Sequence, residues 1–130
     1  MIITLKLPWP PVTANQYWKV WRNRAVLNPK AKAYRDEVYY RFRTDAGYGN
    51  ARIAVVIYVT APTRHKLDLD NMCKIPLDCL MHANWMHDDS QIDQLTVIRL
   101  QSDKNDPHLL VQISEIEIDG DTGDEPQSRG

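Results

Sequence analysis

Residues 52–60 read RIAVVIYVT, a run dense in β-branched residues. Such residues favour an extended backbone, and because nearly every side chain in the run is apolar, we expect a strand buried inside the protein. Pro62 follows closely and ends the strand, since proline cannot continue a ladder of backbone hydrogen bonds.

The chain before this strand predicts one strand, one loop and one helix. Ile2–Leu7 is a short β-rich run that stops at PWPP, and residues 10–28 predict a long loop. Asn28 then offers an N-cap, and the proline after it suits the first helical position. Apolar residues recur every four positions from there to about Asp45, and Gly47 stops the resulting amphipathic helix.

The chain after the buried strand predicts a second helix and two strands. The helix covers about Asp70–Ala83, and Asn84 can end it in the left-handed conformation. Pro76 lies inside that range, so we expect a kink or an irregular first turn. Gln94–Gln101 and Leu109–Ile118 predict two strands joined by the turn DKNDP. The order β-α-β-α-β-β indicates an α/β (mixed α+β) single domain with one mixed sheet.

The charge of the chain is unevenly distributed. The 130 residues carry a net charge of −1, but in Lys19–Arg43 eight Lys or Arg face two acids, a net charge of +6. In Glu115–Gly130 six acids face one arginine, a net charge of −5. We therefore expect a domain at residues 1–118 that contains a basic segment, followed by an acidic and disordered tail at residues 119–130.

Composition also argues against several classes of protein. The sequence contains no run of about eighteen apolar residues, so we expect no membrane span. The N-terminal MIITLKLPWPP reads as a strand and not as a signal peptide. The two cysteines, Cys73 and Cys79, indicate reduced thiols in an intracellular protein by their number and spacing.

The segment 66–74, KLDLDNMCK, contains the first candidate site. Asp68 and Asp70 are two residues apart, so in an extended segment both carboxylates can reach one ion. Asp89 comes just before a predicted strand, and it arrives beside the pair if that strand neighbours the buried one. Three carboxylates with waters suit Mg²⁺, which can activate a water molecule at a phosphate. Lys74 could then stabilise charge developing on the phosphoryl group.

Plainer interpretations of the same residues remain open. Asp70, Lys74 and Asp78 have the spacing of an ordinary helical ion-pair ladder. Asp88 and Asp89 also suit a turn, where Asp is common.

Two other kinds of metal site fit the sequence poorly. An EF-hand needs an oxygen ligand where Met72 stands. Zinc has candidate ligands that are close in sequence, but five residues between the cysteines are too many for a zinc knuckle, and the two cysteines point to different helix faces. These candidates are Cys73, Cys79, His82 and His87.

A second candidate site is the aromatic and basic segment 17–24, YWKVWRNR. Aromatic rings can stack on unpaired bases, and cations can bind phosphates. Trp18 and Trp21 could instead pack on the core or against a second subunit. The cations that we expect to contact DNA are Lys19, Arg22, Arg24, Lys30 and Lys32.

Taken together, these features resemble the RusA family of Holliday junction resolvases. The resemblance rests on DLDN at 68–71, Lys74, DDSQI at 88–92 and the opening LPWPP at 7–11. It covers about residues 2–118. Each motif alone is weak, but their order and spacing together are specific.

The resemblance implies a small homodimeric, Mg²⁺-dependent endonuclease that cuts four-way DNA junctions symmetrically. It also implies a cytoplasmic protein encoded by a bacterium or a phage. The family's metal-binding acids fall on Asp68, Asp70 and Asp89, and its catalytic lysine falls on Lys74. Asn15 and Tyr17 are expected to contact DNA, although the loop before Asn15 is one residue longer than in the family pattern.

A dimer also follows from the symmetry of the substrate. A four-way junction has approximate two-fold symmetry, and one active site makes only one cut at a time, so a two-fold dimer suits paired cuts. We expect an apolar interface above about 1,200 Å² in total. The large side chains that one small sheet with two helices cannot easily bury include Trp18, Trp21, Tyr39, Tyr40 and Trp85.

Two functions from different classes stay open. The first is a junction-resolving endonuclease, and the second is a DNA-binding module whose carboxylates only cap and bridge helices. Asp89 discriminates between them, because a binding module does not need a third acid beside Asp68 and Asp70. A Mg²⁺ enzyme that acts on nucleotides is disfavoured, because the sequence lacks a glycine-rich phosphate loop.

Overall fold

The computed structural model describes residues 2–117. The strands are β1 (Ile2–Pro8), β2 (Trp18–Trp21), β3 (Arg24–Leu27), β4 (Ile53–Thr60), β5 (Ile92–Arg99) and β6 (His108–Glu115). The helices are α1 (Ala14–Tyr17), α2 (Pro29–Phe42) and α3 (Lys74–His82). Within the described residues, no helix is long and apolar enough to cross a bilayer. The predicted tail at 119–130 and the predicted strand end at Ile118 lie outside this range.

The main sheet has the spatial order β1, β6, β4, β5. β6 runs antiparallel to both β1 and β4, whereas β4 and β5 are parallel and are connected through α3. The prediction of a mixed α/β domain is therefore confirmed, and β2 and β3 add a separate two-stranded sheet.

β4 is the buried strand that its sequence predicts. Val55, Ile57 and Val59 are fully buried, and each lies opposite an apolar residue of β6 in the antiparallel register. The helices α2 and α3 complete the same core cluster with the side chains of Tyr34, Val38, Ile75, Leu77 and Leu80.

Helix α2 begins where the sequence predicts and ends earlier. The Asn28 side chain accepts a hydrogen bond from the backbone N–H of Lys30 at 2.9 Å, which caps the helix. The helix ends at Phe42, short of the predicted end near Asp45, because the backbone is already extended at Arg43 (φ −57°, ψ 148°).

Helix α2 does not continue past Phe42 because the residues that follow it contact the turn after α3. The backbone N–H of Thr44 donates to the carbonyl of Ala83 at 3.1 Å. Gly47 approaches this turn so closely that a Cβ there would lie 2.2 Å from the carbonyl oxygen of Asn84. Asn84 has the predicted left-handed conformation, with φ 72°.

The second predicted helix is irregular at its start, as Pro76 predicts. A first 3-10 helix covers Leu69–Met72, and α3 begins only at Lys74. Pro76 then lies in the first turn of α3, where backbone N–H groups have no partner within the helix. In a helix that continued from Asp70, the proline ring would instead clash with the carbonyl of Met72.

The prediction of a long loop over residues 10–28 is wrong. Helix α1 and the β2–β3 hairpin occupy most of that range. Arg22 and Asn23 form the two-residue turn, with φ 54° and 62°. Positive φ at both positions is typical of a type I′ hairpin turn, whose usual sequence signal is Asn-Gly or Asp-Gly. Arg-Asn is a weak signal because arginine rarely adopts positive φ.

Strand β5 lies beside β4, as the prediction for Asp89 requires. A second 3-10 helix at Asp89–Gln91 leads directly into the strand, so β5 begins at Ile92 and not at the predicted Gln94.

Candidate metal and nucleic-acid site

Asp68 and Asp70 lie where the chain enters the first 3-10 helix. Asp68 has an extended backbone (φ −83°, ψ 113°), and Asp70 is in the first turn. The backbone N–H of Asn71 donates to the carbonyl of Asp68 at 3.1 Å, and that of Cys73 donates to the carbonyl of Asp70 at 3.5 Å. These turn bonds use only backbone atoms, so both exposed carboxylates stay available to a ligand.

The ion-pair ladder is not formed. Within residues 2–117, the side chains of Asp68, Asp70 and Lys74 make no ion pair or hydrogen bond. Asp78 instead lies 3.7 Å from the Arg35 guanidinium, on the side of α3 that faces α2. Lys74 is exposed at the first residue of α3, so its charge is available to a partner outside the chain.

The neighbouring acids Asp88 and Asp89 have different environments. The Asp88 carboxylate caps the second 3-10 helix by accepting from the backbone N–H of Ser90 at 3.0 Å. Hydrogen bonds from the side chain and backbone of Ser90 lower the pKa of Asp88. Asp89 is exposed, and within the described residues its carboxylate has no hydrogen-bond or ion-pair partner. Both acids therefore lie in the turn, but only the Asp88 carboxylate has a structural role among the described residues.

Gln91 is a buried residue that fixes this turn, and sequence reasoning missed its role. Its Oε1 accepts from the backbone N–H groups of His87 at 2.8 Å and Asp88 at 2.9 Å. Its Nε2 donates to the carbonyls of Gly49 at 2.8 Å and Ala51 at 2.7 Å. The amide thus joins the turn that carries Asp89 to the residues before β4. The sequence places Gln91 in the DDSQI motif, but the motif alone does not explain why a glutamine stands there.

Arg52, the residue before β4, also holds this turn. Its Nη2 donates to the carbonyl of Ser90 at 3.0 Å, and its guanidinium forms an ion pair with Asp93. Hydrogen bonds from Arg52 lower the pKa of Asp93. The backbone on both sides of Asp89 is therefore held by the side chains of Asp88, Gln91 and Arg52.

The expected convergence of the three carboxylates is not seen. Among residues 2–117, no group of three or more Asp, Glu, His or Cys side chains is arranged to hold a metal ion. The first 3-10 helix packs against β5, and the second 3-10 helix leads directly into the same strand, so both acid-bearing segments adjoin β5.

The zinc alternative is disfavoured by the two cysteines. Cys73 and Cys79 are free thiols, as their spacing predicts. Burial raises the pKa of Cys79 to about 12, and burial also raises the pKa of Cys73. Zinc binds the thiolate form, which these environments disfavour.

The β2–β3 hairpin has two different faces, because residues opposite each other in the antiparallel register share a face. One face carries Lys19, Trp21, Arg24 and Val26, and the other carries Trp18, Val20, Ala25 and Leu27. The Arg22 guanidinium lies 4.5 Å from the centre of the Trp21 ring, a cation–π contact. Trp18 is 45% exposed, and its ring packs edge-on against the buried Tyr17 ring with the two centres 5.8 Å apart, whereas Trp21 is 57% exposed.

The predicted DNA-contacting cations are all exposed. Within residues 2–117, Lys19, Arg22, Arg24 and Lys30 form no ion pair, whereas Lys32 pairs with Asp36 at 3.0 Å. Asn15 is also exposed, on the short helix α1.

The prediction that Tyr17 contacts DNA is wrong. Tyr17 is 0% exposed, and its hydroxyl donates to the carboxylate of Asp78. Burial, with the Asp78 hydrogen bond, raises the pKa of Tyr17. The side chain connects α1 to α3, so it positions the start of the hairpin without reaching a ligand.

Known proteins resemble this chain over most of its length. The model of the family described as Endodeoxyribonuclease RusA matches residues 8–114. The crossover junction endodeoxyribonuclease rusA of Enterobacteria phage HK97 is 32% identical over 96 residues, which cover 72% of this chain and 78% of that protein. The enzyme of the same name from Escherichia coli (strain K12) is 31% identical over 100 residues, which cover 75% of this chain and 82% of that protein. That of Enterobacteria phage 82 is 31% identical over 99 residues, with coverage of 74% and 81%.

Proposed function

The chain belongs to the RusA family of endodeoxyribonucleases, and on this premise we propose that it resolves four-way DNA junctions by paired, symmetric, Mg²⁺-dependent cuts. One observation carries the residue assignment. Within residues 2–117, Asp68, Asp70, Asp89 and Lys74 are exposed and unpartnered, whereas acids beside them are bonded. Exposed charged side chains that neither cap a helix nor form an ion pair within the described residues are suited to bind a partner outside the chain.

The alternative of a non-catalytic DNA-binding module is less well supported. In that function the acids would cap and bridge helices. Asp78 and Asp88 have such structural contacts, but the carboxylates of Asp68, Asp70 and Asp89 have none with the described residues. Three unpartnered carboxylates would also repel DNA phosphates unless a cation neutralised them.

The donor set fits Mg²⁺ in its chemistry. Asp68, Asp70 and Asp89 offer exposed carboxylate oxygens, the hard ligands that Mg²⁺ prefers, and the ion usually keeps several waters beside one or two carboxylates. We assign these three residues as its ligands. When bound, the ion supplies a Lewis acid for a phosphate oxygen and an activated water.

The other residues of the site act through position and charge. Lys74, exposed at the start of α3, stabilises negative charge on the phosphoryl group that is cut. Gln91 positions the turn of Asp89 through its four hydrogen bonds to backbone atoms.

The DNA-binding surface includes the cationic face of the hairpin. Lys19, Arg22 and Arg24 present charge beside the exposed Trp21 ring, which suits phosphate contacts next to unstacked bases. Asn15, Lys30 and Lys32 extend this surface along α1 and α2.

A second copy of the chain supplies the second cut in this proposal. The two edge strands of the main sheet differ, because β1 carries Lys6 and Pro8, residues that block pairing, whereas β5 contains neither lysine nor proline. Leu95 and Ile98 of β5 are 44% and 38% exposed. We propose that two β5 edges pair antiparallel about a two-fold axis, so that the two sites lie at opposite ends of the joint strands.

The aromatic residues expected at the interface divide into two groups. Trp85 is half-buried and its Nε1 donates to the carbonyl of Phe42 at 2.6 Å, while Tyr39 is half-buried against the His82 ring. Both are therefore largely accommodated within one chain. Tyr40 is 78% exposed and, with the two tryptophans of the hairpin, stays available to a partner or to DNA.

Incubation with a synthetic four-way junction tests the proposal. Wild-type protein should cut opposite strands symmetrically with Mg²⁺ and bind without cutting when Mg²⁺ is omitted, and a linear duplex of the same sequence should stay intact. Dimers mixed from wild-type and Asp70→Asn chains should nick one strand without resolving the junction. Cutting without a divalent metal would refute the metal assignment. Paired cuts by a monomer at micromolar concentration in sedimentation would refute the dimer.

A further inference from the structure

A cleft of about 380 Å³ adjoins Asp68 and has no assigned role in the mechanism above. One wall is the segment 9–13 with α1, and the other is the segment from Lys66 to Pro76, which includes Asp68. The volume lies in the range of small-molecule sites, about 300–1,000 Å³.

The lining of the cleft is mostly apolar, with a few polar groups at defined points. Trp9, Val12, Leu67 and Ile75 supply apolar surface. Asn71 supplies a side-chain amide that, among the described residues, has no hydrogen-bond partner. Flat apolar walls with an aromatic ring and an amide are the composition that binds a nucleobase, because the base stacks on the ring and its edge pairs with the amide.

The position of Trp9 is restricted before any ligand binds. It follows Pro8 and precedes Pro10, and each proline fixes its own backbone φ. The ring is half-buried against the core cluster. A side chain held in this way loses little conformational entropy when a base stacks on it.

We propose that this cleft binds one unstacked nucleobase of the DNA strand whose phosphate is held at Asp68. This inference rests on the proposed function, since it requires a strand at Asp68. A nucleotide whose phosphate lies at that carboxylate has its base within reach of the adjoining cleft, and bases at a junction crossover are easier to unstack than those in a duplex. Lys66 lines the same cleft and can bind a flanking phosphate.

Photo-crosslinking in the absence of divalent metal tests the proposal on the full chain. Four-way junctions that carry 5-iodouracil at single crossover positions are irradiated with wild-type protein, and the attached residue is identified by mass spectrometry. We expect attachment at Trp9 from one or two positions next to the cut site, and none from a linear duplex. Attachment at Trp18 or Trp21 alone would place the unstacked base on the hairpin and overturn the proposal.

Substitutions provide a second readout. Trp9→Ala should weaken junction affinity by about 10-fold, in the range measured for loss of one base–aromatic stack, while Trp9→Phe should retain most of the affinity. Asn71→Ala should shift the base preference at the position that crosslinks. Thermal unfolding of each variant identifies any that fail to fold, and the crosslinks of the wild-type protein keep the test decisive if Trp9→Ala does not fold.

The outcomes separate this inference from the proposed function. A protein that binds and cuts junctions with Mg²⁺, but shows no crosslink at Trp9 and unchanged affinity in Trp9→Ala, would overturn the cleft and leave the proposed function standing. A folded protein that neither binds nor cuts junctions would overturn both.

Discussion

The two segments that carry the proposed metal ligands are fixed in different ways. The segment 66–74 is held by backbone turn bonds and by the burial of Met72, and the side chains of its acids and lysines make no hydrogen bond among the described residues. The segment 87–91 is held by side chains, with the Gln91 amide making four hydrogen bonds and the Asp88 carboxylate capping the turn.

This difference distinguishes two kinds of residue among the acids that the sequence marks as candidate metal ligands. Asp89 lies on a turn whose geometry depends on its neighbours, so substitutions beside it should change both stability and ligand position. Among residues 2–117, the side chains of Asp68, Asp70 and Lys74 form no ion pair or hydrogen bond, so substitutions there should change chemistry and leave the free energy of unfolding nearly unaltered.

The largest effect is expected for the acids themselves. Replacing Asp68, Asp70 or Asp89 by Asn should lower the cleavage rate by more than about 10³-fold, because a metal ligand worth several kcal/mol of transition-state stabilisation is lost. Junction affinity should be retained or improved, since a negative charge has left a phosphate site. Single-turnover cleavage and gel-shift titration measure the two quantities. The matched control is Asp88→Asn, which keeps the N-cap because Asn caps as well as Asp.

Lys74→Ala should lower the cleavage rate by about 10²-fold and leave junction affinity and thermal stability nearly unchanged. The physical reason is that the Lys74 side chain has no partner in the part of the chain that the structure describes and, in the proposed function, acts only on charge that develops during the reaction. Lys104→Ala, in the turn before β6, is the control cation. Equal rates for wild type and Lys74→Ala would show that this lysine is an ordinary surface residue.

Gln91→Ala should destabilise the fold by about 2–3 kcal/mol, because four backbone groups lose their partner in a buried site. Cleavage should fall by about 10-fold under conditions where the variant is folded, and raised Mg²⁺ should restore part of the rate, since the ligand is displaced and not removed. The control is Gln101→Ala, whose exposed side chain lies after the end of β5 and should contribute less than about 0.5 kcal/mol. Urea unfolding and Mg²⁺ titration of cleavage measure these effects, and loss of stability without a change in Mg²⁺ dependence would refute the positioning role.

The smallest effect on rate is expected outside both segments. Arg22→Ala and Arg24→Ala should weaken junction binding at every sequence and each reduce the slope of log affinity against log salt by about one unit. Cleavage at saturating protein should be unchanged, because in the proposed function the hairpin binds phosphates away from the cut. An unchanged salt slope in the double variant would place the DNA surface elsewhere on the protein.

Much of the fold could be predicted because local signals agree with the final packing. The β-branched run of β4, the cap at Asn28 and the break at Pro76 each act through neighbours in sequence. The hairpin could not be predicted, because its turn places Arg22 at positive φ, where the sequence gives a weak signal. The early end of α2 also depended on a distant contact, the bond from Thr44 to Ala83.

For the candidate site, the sequence offers candidate residues but not the contacts that support them. Spacing and resemblance predict the acids and Lys74, but they could not distinguish Asp88 from Asp89, whose carboxylates differ in their hydrogen bonds. The roles of Gln91 and Arg52 depend on residues about 40 positions away in the chain, which local patterns do not show. Tyr17 was assigned to DNA for the same reason, since its burial against Asp78 arises from tertiary packing.

Metal binding itself can be measured without DNA or cleavage. Mn²⁺ prefers the same carboxylate and water ligands as Mg²⁺, and its electron paramagnetic resonance signal reports the free ion. In a titration of wild type, Asp70→Asn and Asp88→Asn, we expect Mn²⁺ affinity to fall by at least about 10-fold in Asp70→Asn and to stay at the wild-type value in Asp88→Asn. Equal affinity in all three proteins, or an equal loss in both variants, would contradict the assignment of Asp68, Asp70 and Asp89 as the metal site.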